Sequence, residues 1–146
     1  TGNAAPLAVL KREGSTEFQD HLGEAGFFLG DVDSDGVLDV VFGASPINVE
    51  GERDAGLTVI WSGASLGSNS GPSAVLVDTT PVAGTRATPR LLADITGDGT
   101  LDVLALSPDY DGTVGFSGAV LLWEGGSLSG TVTPTSVLVD REDDSP

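Results

Sequence analysis

The sequence has no cysteine, no methionine and one histidine, and its 6 Lys plus Arg stand against 22 Asp plus Glu. Each shortage closes a class of function. Without cysteine there is no disulfide framework, no thiolate zinc site and no thiol nucleophile. A formal net charge of −16 leaves no basic surface to displace counterions from phosphates, which excludes nucleic acid as a partner. An anionic membrane surface is an equally poor match. No apolar run approaches the ~18 residues of a membrane span, and no charged-then-apolar leader opens the chain, so membrane insertion is not expected. Helical periodicity is missing too: no stretch of about ten residues keeps a 3.6-residue period without Gly or Pro.

What is present is short and strand-like. The 146 residues suffice for one ordinary domain or two or three small repeat units. Apolar residues make up only 39%, but they come in compact blocks, which argues against disorder. Pro6-Leu7-Ala8-Val9-Leu10, Leu38-Asp39-Val40-Val41-Phe42, Leu57-Thr58-Val59-Ile60-Trp61 and Ala74-Val75-Leu76-Val77 are typical. Blocks this short, bounded by Gly, Asp, Ser and Pro, read as strands, and the chain reads as all-β.

The chain also matches itself. The segment from Phe28 to Val41 aligns with that from Leu91 to Leu104 at an offset of 63 residues. After Ser45-Pro46 and Ser107-Pro108 the offset is 62, and it holds for Gly56–Trp61 against Gly118–Trp123 and for Val75–Asp78 against Val137–Asp140. Three blocks in constant register mark two copies of one four-strand unit. Strand A is expected at about 25–30 and 89–93, B at 38–43 and 101–106, C at 56–61 and 118–123, and D at 74–78 and 136–140. Strand B is nearly all apolar, as a strand buried on both faces would be. Four-stranded antiparallel units stacked face to face are the blades of a propeller. The expected organisation is an outer strand of a preceding blade with a linker (1–17), one blade (18–80), and a second blade with an acidic tail (81–146). Ala8-Val9-Leu10 resembles Ala74-Val75-Leu76 and supplies that extra N-terminal strand.

The hairpin between strands A and B carries the chemistry. Asp31, Asp33, Asp35 and Asp39 occupy positions 1, 3, 5 and 9 of a tight loop, Val37 offers its carbonyl at position 7, and Gly36 permits the turn. Ca²⁺ takes six to eight oxygens in irregular geometry, and alternate side chains of such a loop can converge on it. The second copy offers Asp94, Thr96, Asp98, the carbonyl of Thr100, and Asp102, with Gly99 at the turn. One carboxylate fewer should weaken its grip. An EF-hand begins alike, but it needs an acid at position 12 and flanking helices, whereas that position falls on Phe42 and Ala105 inside strands. A bare Asp-Gly turn, the reading kept for Asp111-Gly112, would not require acids at three further positions. Carboxylates packed this closely repel one another unless a cation sits among them. Two Ca²⁺ sites are therefore expected.

These loops resemble the calcium loops of FG-GAP repeats, the blades of the integrin α-subunit propeller and its bacterial relatives. Gly43-Ala44-Ser45-Pro46 is similar to the Gly-Ala-Pro of that family with one residue inserted, and Ala105-Leu106-Ser107-Pro108 departs from it. The resemblance implies calcium loops between strands A and B, with ligand contacts on the opposite face. It would place them in the loops Ile47–Ala55 and Asp109–Ser117, where Arg53, Tyr110 and Phe116 could contribute most energy. It also implies a non-catalytic, extracellular or cell-surface module for adhesion or ligand binding, with a protein or glycan ligand. The alternatives are a lectin-like propeller and an accessory segment of a secreted lyase or hydrolase. Against catalysis stand the single His21 and single Lys11, and carboxylates already committed to metal.

Two blades cannot close a ring, so both outer faces are expected to show apolar surface. Neighbouring blades of a longer chain, self-association or an open arc would resolve this, and the ragged ends favour a longer chain. Trp61 and Trp123 are expected to pack between blades, His21 to lie on a surface loop, and Asp78 and Asp140 to form turns.

Overall fold

The computed structural model describes residues 6, 8–10, 22–45, 48, 55–67, 71–78, 86–108, 110–112, 115, 116 and 118–139, and every structural statement concerns these residues. It is all-β. The first unit consists of β1 (Leu22–Gly30), β2 (Asp39–Ala44), β3 (Leu57–Trp61) and β4 (Ala74–Leu76). The second consists of β5 (Thr88–Ala93), β6 (Asp102–Ser107), β9 (Ala119–Trp123) and β11 (Ser136–Val139). Within the second unit's stretch of chain also lie a small hairpin of β7 (Asp111–Gly112) with β8 (Gly115–Phe116), between β6 and β9, and the short β10 (Gly130–Val132), between β9 and β11. Each unit is an antiparallel meander with strands in chain order, and neither sheet closes on itself. The eight strands expected from the repeat are all there, with ends shifted by a few residues.

Alternation along these strands sorts side chains onto two faces, and cross-strand register aligns them in rows. In the first sheet one row runs Phe28, Val41, Ile60, Ala74. In the second sheet one row runs Leu92, Val103, Trp123, and the next Ala105, Leu121, Val137. These rows meet in one core that also takes in Val32, Leu76 and Ala119. Fully burying a side chain of this size contributes about 1.5–3 kcal/mol, so this seam is the main adhesive between the units. Backbone bonds reinforce it: Gly126 N–H donates to the Val32 carbonyl at 2.7 Å, and Ala87 N–H to that of Ala55 at 3.2 Å.

The other face of the first sheet forms a second cluster of Ala44, Leu57, Val59, Trp61 and Val77, with Phe42 edge-on to Trp61 at 5.7 Å. The two tryptophans, equivalent in sequence, therefore serve different cores. Trp123 lies between the sheets, as expected. Trp61 points away from the second sheet and is 1% exposed, with Leu10 against its cluster.

Several expectations are corrected. Ala8–Leu10 forms no strand. The outer edge of β4 is occupied by β10, which runs parallel to it from Gly130↔Ala74 to Val132↔Leu76. The Val132 carbonyl also accepts the Trp123 indole N–H at 3.1 Å, tying that edge to the inter-sheet core. Strand B is not buried on both faces in the second unit, where Leu106 of β6 is 38% exposed; the strand wholly buried is β3. The outer faces are also unequal. The centre of the first sheet's face is covered, leaving Phe27 and Leu29 exposed at the β1 edge, whereas the second sheet's face is open. Asp78, expected only to form a turn, is buried. Arg53, His21 and Asp140 lie outside the described residues.

Candidate metal centre

Both acidic hairpins join the first two strands of their meanders. The closing pairs are Gly30↔Asp39 and Ala93↔Asp102, so position 9 is already the first residue of the following strand. That placement turns its carboxylate inward. Asp39 is fully buried and accepts from Val32 N–H at 2.8 Å and Gly63 N–H at 2.9 Å. Asp102, also fully buried, accepts from Ile95 at 2.8 Å, Thr96 at 2.9 Å and Gly125 at 3.1 Å. Each therefore ties the start of its loop to the turn that leaves the third strand of its unit. Gly63 and Gly125 must be glycine: an added Cβ would collide with the carbonyl oxygens of Leu38 and Leu101 respectively.

Position 1 organises the turn itself. Asp31 accepts from Asp35 N–H and Gly36 N–H, both at 3.0 Å. Asp94 accepts from Gly97 at 2.7 Å, Asp98 at 3.1 Å and Gly99 at 3.0 Å. Gly36 (φ +86°) and Gly99 (φ +91°) occupy the left-handed region that the sequence assigned to them. At position 5 the side chains turn back on the loop, with Asp35 accepting from Val37 N–H at 2.7 Å and Asp98 from Thr100 N–H at 2.8 Å.

In the first hairpin, carboxylate oxygens of Asp31, Asp33 and Asp39 all lie within 4.8 Å of one another, a group that could hold a metal ion. Asp35, counted with them from the spacing, is not in that group. The electrostatics have the sign a cation would relieve. Burial raises the Asp33 carboxyl above its ordinary value, with repulsion from Asp39 and Asp35 adding to it, against donation from Asp35 N–H and the Ser62 hydroxyl. Hard, anionic oxygens without nitrogen or sulfur suit Ca²⁺ or Mg²⁺, and an irregular loop suits the larger ion. In the second hairpin Thr96 replaces Asp33, and no three carboxylates gather among the described residues. There burial tends to raise the Asp102 carboxyl, but N–H donation from Thr96, Gly125 and Ile95 outweighs it and holds the group below its ordinary value.

Sequence reasoning missed Ser62, Gly63 and Gly125. The signal was available, since Trp61-x-Gly63 and Trp123-x-Gly125 recur at the same offset as the rest of strand C. The residues assigned to ligand loops are not brought to the metal centre. Tyr110 follows the far end of β6 and packs partly buried against the inter-sheet core, and Phe116 belongs to β8. No helix is long and apolar enough to cross a membrane among the described residues. No family model matches the chain, and no curated protein matches it.

Proposed function

We propose that this chain is a calcium-stabilised, non-catalytic pair of propeller-type blades from an extracellular protein that binds or adheres to a ligand. The observation that carries the reading is the convergence of Asp31, Asp33 and Asp39 in a hairpin whose fourth acid, Asp35, is turned to its own backbone. A cation there offsets the repulsion among three carboxylates and locks the first hairpin to the turn at Gly63. The repeated meander supports the blade reading, as does the face-to-back packing of its two copies. Extracellular placement rests on the resemblance of the loops to those of FG-GAP repeats and on the affinities of extracellular calcium modules, about 10⁻⁴–10⁻³ M.

With calcium about tenfold above a dissociation constant of order 10⁻⁴ M, one site adds about 1.4 kcal/mol to folding stability. Calorimetry at millimolar Ca²⁺ should give a higher Tm than the same protein in excess EDTA, and Asp33→Asn should remove most of the difference. Identical melting curves in calcium and chelator would refute the metal reading. Glycan recognition is a second reading. A cavity of about 270 Å³ at the opposite end of the strands, lined by Glu24, Ser45, Arg86, Thr88, Arg90 and Pro108, offers it hydroxyl, guanidinium and carboxylate groups.

A further inference from the structure

We infer that the outward face of the second sheet is a docking surface whose occupant is a further unit of the same repeat, seated through its own Trp-bearing face. The inference rests on the blade-stacking part of the proposed function and is independent of calcium.

The argument comes from comparing equivalent positions. The first unit buries Phe28, Val32, Val41, Ile60 and Leu76 against the second. Their equivalents by the repeat offsets are Leu91, Ile95, Leu104, Leu122 and Leu138, all apolar. Register places them together on one face: Leu91 beside Leu104 beside Leu122, and Leu106 beside Val120 beside Leu138. Only their surroundings differ. Val32 is 1% exposed and Ile95 44%; Leu76 is fully buried and Leu138 59% exposed. An apolar face that the first unit keeps dry is thus left in water by the second, in a contiguous patch that a packed interface would cover.

The existing seam specifies the occupant. It is heterologous, with the Phe28–Val41–Ile60 face of one unit against the Trp123–Val103–Leu121 face of the next, so it leaves one end of the stack open for repetition. A second copy of this chain is a poor occupant, because its corresponding face carries Trp61 and Val59, which are already covered at 1% and 0% exposure. The two acceptor faces are not identical either. Where the first unit has Gly30 and Gly43, the second has Ala93 and Leu106. Gly30 lies so close to Leu92 and Leu101 that an added Cβ would stand 2.8 and 2.9 Å from them. The incoming unit must therefore carry smaller side chains opposite Ala93 than the Leu92 and Leu101 that the second unit presents to the first.

Because the chain has no cysteine, single thiols report each face cleanly. Leu138→Cys would be labelled with a maleimide in the 146-residue chain and in a tandem chain that repeats residues 81–146 after the second unit, with the appended copies of Leu92 and Leu101 reduced to Ala to make room for Ala93. The expected result is at least a tenfold slower reaction in the tandem chain. A thiol at the appended copy of Ala105, a position that faces the preceding unit, should become equally protected. Ala105→Cys in the original unit, where Ala105 is fully buried, checks that the seam stays formed. Unchanged labelling of Leu138→Cys, or rapid labelling of the appended thiol, overturns the proposal. So does protection of Leu138→Cys in the original chain that grows with protein concentration, which would assign the face to a second copy. EDTA should leave these rates unchanged if only the calcium reading fails.

Discussion

The two acidic hairpins share a frame and differ in what they gather within it. In both, a buried Asp at the start of the following strand accepts N–H groups from the loop and from a glycine beyond the third strand, and the leading Asp cradles the turn. The first adds Asp33 and so brings three carboxylates together; the second has Thr96, whose N–H instead gives Asp102 a third donor. The first also holds Ser34 at φ +61°, where the second has Gly97 at φ +80°. The first hairpin thus tolerates charge repulsion and backbone strain that the second relieves. A hairpin can be built by hydrogen bonds alone, and the surplus acid in the first adds a repulsion that a cation would offset.

The largest effect should come from removing the buried acids. Asp102→Ala strands three backbone N–H groups, and hydrogen bonds to a charged group contribute about 1.5–3 kcal/mol each, so a loss of roughly 3 kcal/mol or more is expected in urea unfolding. Asp39→Ala strands two and should cost less in calcium-free buffer. The acid branch gives a second readout. The Asp102 carboxyl is lowered by folding, so its stabilisation is present above the unfolded value of about 3.9 and is lost as pH falls through the lower folded value. Asp102→Ala should flatten that branch. If both variants unfold like the parent, the shared frame is not what holds the hairpins.

Exchanging the position that differs should exchange the metal behaviour. Thr96→Asp is expected to tighten calcium binding at the second hairpin by roughly tenfold, and Asp33→Thr to weaken the first by a similar factor, measured by isothermal titration. Equal affinities before and after exchange would show that the third carboxylate is not the discriminating ligand. The smallest effect is expected at Ser34, where a left-handed conformation costs a non-glycine residue about 1 kcal/mol. Ser34→Gly should raise stability by up to that amount in EDTA, making the first hairpin resemble the second. A loss of stability would mean that the Ser34 side chain contributes something its conformation does not show.

Much of this was legible in the chain because it is local. Asp-x-Asp-x-Asp-Gly between two apolar blocks specifies a hairpin through glycine's access to positive φ and through short side-chain-to-backbone bonds. The repeat multiplied that signal, which is why eight strands fell near their expected places. Asp35 misled because spacing alone cannot say whether a carboxylate points at a cation or at the N–H two residues on. Asp78 reads as a turn residue because nothing nearby in sequence signals burial. Leu10 reads as strand because Ala8-Val9-Leu10 is indistinguishable from Ala74-Val75-Leu76 without the partner edge in view.

By itself the sequence determined the strand class, the turns and the spacing of the acids, which follow from neighbours within about ten residues, and the two-fold repeat, which shows as a self-match at offsets of 63 and 62 residues. Only the tertiary structure decided that equivalent tryptophans serve different cores, that β10 covers the edge of β4, and that one of two like faces is dry while the other meets water. Two copies of one pattern carry the same local instructions. Their fates differ because burial is set by what lies across the sheet, and among the described residues only the first unit has a neighbour packed on that face.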